Sequence, residues 1–148
     1  MEKRKKILIV DDGQLDLNVL VDLLKPDYEI EVTMSAEEAL VAVITADPPD
    51  LILLDVTTAA MDGPEACRRL KADETTRSIP IIFITDKGKI GEMSECLELG
   101  VVDYITTPVY PPIVKARVKT HLALKYSLEE LQKAYKLIES HKDKNEDE

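Results

Sequence analysis

An α/β domain built on a mostly parallel sheet is the fold class this sequence predicts, and three observations predict it. Short unbroken aliphatic runs recur at residues 7–10 (ILIV), 51–54 (LILL) and 79–84 (IPIIFI), as expected of strands buried on both faces. Stretches with helical apolar spacing lie between them. Each run ends abruptly in polar residues: Asp11 and Asp12, Asp55, and Thr85. A carboxylate directly after a buried strand is poorly placed for stability, because desolvating a charge is costly. Such a residue either caps a turn or does chemistry at the carboxyl edge of a sheet.

The elements follow in order. After the strand at 7–10, residues 14–24 place Leu17, Leu20, Val21 and Leu24 at i, i+3, i+4, i+7, an amphipathic helix that Pro26 ends. Residues 28–34 alternate charged with apolar side chains and predict a half-exposed edge strand. Ser35 with Glu38 forms a capping box, opening a helix with the stripe Ala36, Ala39, Leu40 and Val43, which Asp47, Pro48 and Pro49 close. The strand at 51–54 leads through a polar loop to Asp62. There Asp62 and Glu65 start another helix, with Pro64 in its first turn where a missing N–H is harmless. Ala66, Cys67 and Leu70 face inward. The strand at 79–84 ends at Thr85, and 86–91 is a polar loop. A short helix then carries Met93, Cys96 and Leu97 and stops before Gly100, a suitable left-handed cap. Residues 101–105 form the last strand, before Thr106, Thr107 and Pro108. Strand and helix alternate five times, which argues helices on both faces of a parallel sheet.

From Pro111 the pattern changes. No Gly or Pro occurs after residue 113, so one long helix is expected. Ile113, Val114 and Val118 look core-facing. Leu124, Leu128, Leu131, Tyr135 and Ile138 are spaced +4, +3, +4, +3, an a/d seam about two heptads long. The helix is therefore expected to pack with its first half and project with its second, with homodimer formation through that helix favoured over folding back. Residues 141–148 are charged, lack apolar side chains and are expected to fray. The expected division is a folded domain at 1–122 and the extended C-terminal helix with its acidic tail at 123–148.

The totals narrow the function classes. A chain of 148 residues, 45% apolar, fits one domain with a real core. One Phe, five Tyr and no Trp make that core mostly aliphatic. A formal charge of −10 disfavours direct nucleic-acid binding and an anionic membrane surface. Cys67 and Cys96 lack CxxC partners and read as buried free thiols in a reducing compartment. The apolar run at 7–10 is too short for a signal peptide or a membrane span, so a cytoplasmic location is expected.

In a doubly wound sheet, ligands bind outside the carboxyl ends of the strands. Asp11, Asp12, Asp55, Thr85 and Thr107 would converge there. Three carboxylates so close repel, so either some protonate or a cation sits among them. Oxygen-only ligands favour a hard ion such as Mg²⁺ (or Mn²⁺). A carboxylate beside such an ion can accept a phosphoryl group, and Thr85 would hydrogen-bond a phosphoryl oxygen.

The motifs ILIVDDG, LILLDVTTAAMDG, IPIIFIT and VVDYITTPV, in this order, resemble the response-regulator receiver domain of bacterial two-component signalling, over residues 5 to about 122. The resemblance implies a flavodoxin-like fold with a five-stranded sheet of order 2-1-3-4-5. It implies a sensor histidine kinase or phosphotransfer protein that passes phosphate to Asp55. It assigns Asp11, Asp12 and Asp55, with the backbone carbonyl of Thr57, to the metal, and Thr85 and Tyr104 to the switch. The resemblance also implies a cis bond between Thr107 and Pro108. One position departs: the family's lysine before that proline is Thr107, which can offer a hydrogen bond but no charge. Lys87 or Lys89 would be the nearest substitutes. Phosphotransfer is expected to survive and the active state to be less favoured. The residues after about 120 are too few and too acidic for a DNA-binding unit, and no second catalytic constellation is present. The projecting helix resembles linkers to downstream enzymes, as in a piece of something longer.

The alternative is a phosphorylation-independent pseudo-receiver acting as a binding or dimerisation module. Loss of the lysine favours it, and retention of the three aspartates and Thr85 disfavours it. A haloacid-dehalogenase-type phosphatase needs a second acid two residues past the nucleophile, where this chain has Thr57. A nucleotide-binding domain is disfavoured because Asp11-Asp12-Gly13 repels phosphate without a metal.

Overall fold

The computed structural model describes residues 4–13, 17–44, 47–57, 62–86, 88, 91 and 94–146. Among them the chain alternates β1 Lys6–Val10, α1 Leu17–Leu24, β2 Glu29–Thr33, α2 Ala36–Val43, β3 Leu51–Asp55, α3 Gly63–Ala72, β4 Ile81–Asp86, α4 Glu95–Glu98, β5 Val101–Thr107 and α5 Pro111–Glu146. The strands form one parallel sheet of order β2-β1-β3-β4-β5, so the flavodoxin-like expectation holds and β2 is an edge strand.

The aliphatic runs are explained by burial on both faces. Successive side chains of a strand point to opposite faces, so β1, β3 and β4 feed two separate cores. Leu8, Val10, Ile52, Leu54, Ile81 and Phe83 face one way and meet Ala39 and Val43 of α2 and Ala66, Cys67 and Leu70 of α3. Ile7, Ile9, Leu51, Leu53, Ile82 and Ile84 face the other and meet Leu20 and Leu24 of α1 and Val114 and Val118 of α5. Each such Leu, Ile or Val contributes roughly 1.5–3 kcal/mol when fully buried. Both cysteines are buried free thiols.

Helix starts follow the sequence signals. Ser35 Oγ accepts the Glu38 N–H at 3.1 Å, while the Glu38 carboxylate accepts the Met34 N–H at 2.8 Å, so the reciprocal bond falls one residue before the cap. Asp62 Oδ1 accepts the Glu65 N–H at 3.0 Å. Gly100 closes α4 with φ +108°.

Several boundaries move. β4 begins at Ile81, two residues later than the run suggests, because Pro80 has no N–H to give the ladder; its carbonyl still accepts the Ile52 N–H at 3.0 Å. β4 and β5 then run on to Asp86 and Thr107, which pair with each other. Ile113 is 44% exposed rather than core-facing, whereas Val114 and Val118 are fully buried. α5 continues to Glu146, through the charged stretch beyond its last apolar residue. The expected helix start at 14–16, the loop at 58–61, and Lys87, Lys89 and Met93 lie outside the described residues.

Candidate functional site

All five strands are parallel, so their carboxyl ends share one edge. Asp11 leaves β1 there with its N–H bonded to Thr33 O at 3.0 Å. Its Oδ1 accepts the Gly13 N–H at 2.9 Å, a turn that Gly13 allows at φ +95°. Asp55 ends β3. Its Oδ1 accepts both the Thr57 N–H at 2.9 Å and the Thr57 hydroxyl at 2.6 Å. Asp11 is 0% and Asp55 1% exposed, and Asp12 is partly buried. One oxygen from each of Asp11, Asp12 and Asp55 lies within 4.8 Å of the others.

The remaining oxygens matter most. Asp11 Oδ2, Asp55 Oδ2 and the Thr85 hydroxyl are all buried, and none has a hydrogen-bond partner among the described residues. Such groups normally find one. Thr85 follows Ile84, the residue paired with Asp55 across β3 and β4. Burial pushes the Asp55 carboxyl above its ordinary value, and the neighbouring Asp11 carboxylate pushes it the same way. The two Thr57 bonds oppose this without cancelling it. The arrangement is thus an acidic, oxygen-only pocket with unused acceptors, suited to a hard divalent cation.

The family model for the response regulator receiver domain matches residues 7–119. The chain belongs to this family. It is 38% identical over 128 residues to the response regulator PleD of Caulobacter vibrioides, covering 86% of this chain and 28% of that protein. It is 43% identical over 119 residues to the phosphate regulon transcriptional regulatory protein PhoB of Pseudomonas aeruginosa, covering 80% and 52%. A putative response regulator from Chloroflexus aurantiacus superposes with a TM-score of 0.74 at 33% identity, covering 82% of this chain and 99% of that structure. The chain therefore spans between about a quarter and a half of the length of these two curated relatives. Residues 7–119 are a response regulator receiver domain of the kind found in two-component systems. No helix among the described residues is long and apolar enough to cross a membrane.

Two further candidate positions lie on β5. Tyr104 of β5 is partly buried, with its ring edge-on to Phe83 at 6.0 Å between centroids and 81° between planes. Burial raises its hydroxyl above the ordinary value. Thr107 precedes a cis bond to Pro108, and its hydroxyl donates to Asp86 Oδ1 at 2.7 Å. Sequence reasoning missed Asp86, which it placed in a loop. The available signal was the alignment of two strand ends, Asp86 opposite Thr107, and that needs the register of β4 and β5.

Proposed function

We propose that this receiver domain accepts a phosphoryl group on Asp55 from a sensor histidine kinase or a phosphotransfer protein, in a reaction that needs Mg²⁺ or Mn²⁺. The observation that carries the reading is the gathering of Asp11, Asp12 and Asp55 oxygens within 4.8 Å, with two carboxylate oxygens and the Thr85 hydroxyl buried and without a partner among the described residues.

Asp11, Asp12 and Asp55 would hold the ion, with the Thr57 main-chain carbonyl as a fourth ligand. When bound, it offsets the carboxylate charge and stabilises negative charge on a transferring phosphoryl group. Thr57 fixes Asp55 through Oδ1 and leaves Oδ2 as the nucleophile. The bond from Oδ2 to phosphorus forms as the bond from phosphorus to the donor's imidazole nitrogen breaks. That nitrogen keeps the electron pair. The Thr85 hydroxyl donates to a phosphoryl oxygen, and Tyr104 repacks as that hydroxyl moves. Thr107 occupies the place of the usual lysine with its hydroxyl engaged by Asp86. It supplies no positive charge, so phosphate uptake survives while the active state is less favoured. The output is a change in protein–protein contact.

Incubation with acetyl phosphate and Mg²⁺, read by intact mass and hydroxylamine sensitivity, tests this. One acyl phosphate per chain is expected, absent in Asp55→Asn and in EDTA. No phosphate on the wild-type chain, or phosphate that persists in Asp55→Asn, overturns it.

A further inference from the structure

We infer, on the basis of the acceptor role proposed for Asp55, that Asp86 is a positioning residue: it withholds the Thr107 hydroxyl from the phosphoryl group and so sets how strongly the pocket holds that group. β4 lies between β3 and β5 in the sheet. Along the carboxyl edge, the strand next to Asp55 brings Thr85, and the strand after that ends at Thr107.

These two hydroxyls are in different states. Thr85 Oγ1 is buried and has no hydrogen-bond partner among the described residues. Thr107 Oγ1 donates to Asp86 Oδ1 at 2.7 Å. A threonine hydroxyl has one proton to donate, so the proton that Asp86 accepts is not available to a phosphoryl oxygen. The bond is short, as a hydroxyl on a carboxylate should be. Strand register holds it in place, because Thr85 pairs with Thr106 and Asp86 with Thr107 across β4 and β5. Both side chains are only half-buried, so the hydroxyl can turn to a new acceptor once Asp86 is gone.

Asp86 can act on the site in two separable ways. Its oxygen captures a donor, and its charge repels an anion. The edge already carries Asp11, Asp12 and Asp55, and water screens a half-exposed acid, so removing one such charge alters the local field little. Freeing a donor alters which bonds can form. The capture acts only through Thr107, whereas a repulsion would act whatever stands at that position.

The test is the affinity of the full chain for beryllofluoride, a tetrahedral phosphoryl mimic, in the presence of Mg²⁺. Tyrosine fluorescence reads it, since the chain has five Tyr and no Trp. Asp86→Ala is expected to bind the mimic roughly three- to tenfold more tightly, the effect of one hydrogen bond, while its melting temperature falls. A merely structural role would lower both. Asp86→Asn, which keeps an acceptor for the hydroxyl, is expected to gain less. In the Thr107→Val background, the Asp86→Ala change is expected to shift the affinity by less than about twofold. An Asp86→Ala chain that binds no better than wild type, or an equal gain in the Thr107→Val background, overturns the role of Asp86 alone. No binding by wild type and Asp86→Ala alike overturns it together with the acceptor reading.

Discussion

A methyl group added at Gly63 would lie 2.5 Å from Val56 Cγ1 and 3.2 Å from the Phe83 ring. Both neighbours are buried, so neither can step aside into solvent. Gly63→Ala is expected to cost about 1–3 kcal/mol, seen as a lower midpoint in urea. Phe83 in turn meets Tyr104, so the same change should shift tyrosine absorbance. At the far side of the sheet, Thr107→Val should cost about 0.5–1.5 kcal/mol, the usual value of one hydrogen bond, and leave phosphate uptake at Asp55 intact. An equally large fall in uptake would show Thr107 acting on the phosphoryl group itself. Residues of this kind were unevenly legible. Asp11, Asp12, Asp55 and Thr85 stood out because each interrupts an aliphatic run. Asp86 did not, since the sequence shows no contrast between it and the polar residues that follow.

Among elements, the end of α3 carries a pH-sensitive tie. Asp73 Oδ1 accepts both the N–H and the hydroxyl of Thr75, at 2.9 and 2.8 Å. These bonds hold its carboxyl below the ordinary 3.8. A group whose pKa is depressed by folding stabilises the fold above its unfolded value, and that stability is lost as pH falls through the folded value. Asp73→Ala should therefore be less stable than wild type at neutral pH, with the gap closing in acid. A gap that stays constant down to pH 2 would show that the bonds do not depend on the charge. Helix and strand cores were readable from period alone, as with Leu20 and Leu24 or Ala39 and Val43. Boundaries were not. Pro80 delays β4, and the pairing of Asp86 with Thr107 extends it, neither of which an apolar count registers. Ile113 also falls on the helical stripe, yet it is largely exposed and lines a surface pocket with Ile105, Thr106 and Pro108 rather than the core.

For the whole molecule, a cation held in the acidic pocket would couple metal to stability. A ligand that binds only the folded state adds RT ln(1 + [L]/Kd), about 2.7 kcal/mol at a hundredfold excess over Kd. Mg²⁺ is thus expected to raise the melting temperature by several degrees, reversibly with EDTA, and the rise should be blunted in Asp12→Ala. An unchanged melting temperature across a wide Mg²⁺ range would contradict a cation site. The parallel arrangement was legible because strand–helix alternation admits little else, while the strand order came from resemblance to the family and not from any single run. The groove at the base of the domain was illegible, since it joins Lys71, Pro80 and Val102 to Leu124 and Leu128 across long sequence separations. Where α5 leaves the domain, His121 bonds Asp103 at 2.9 Å and Lys125 pairs with Asp50 at 3.6 Å. From Leu122 to Glu146 the rod extends about 36 Å at 1.5 Å per residue. It therefore has the geometry of a lever arm, pivoted at Asp103 of β5 and at Asp50 just before β3: a tilt of a few degrees at these two anchors would be magnified into ångströms of travel at the tip.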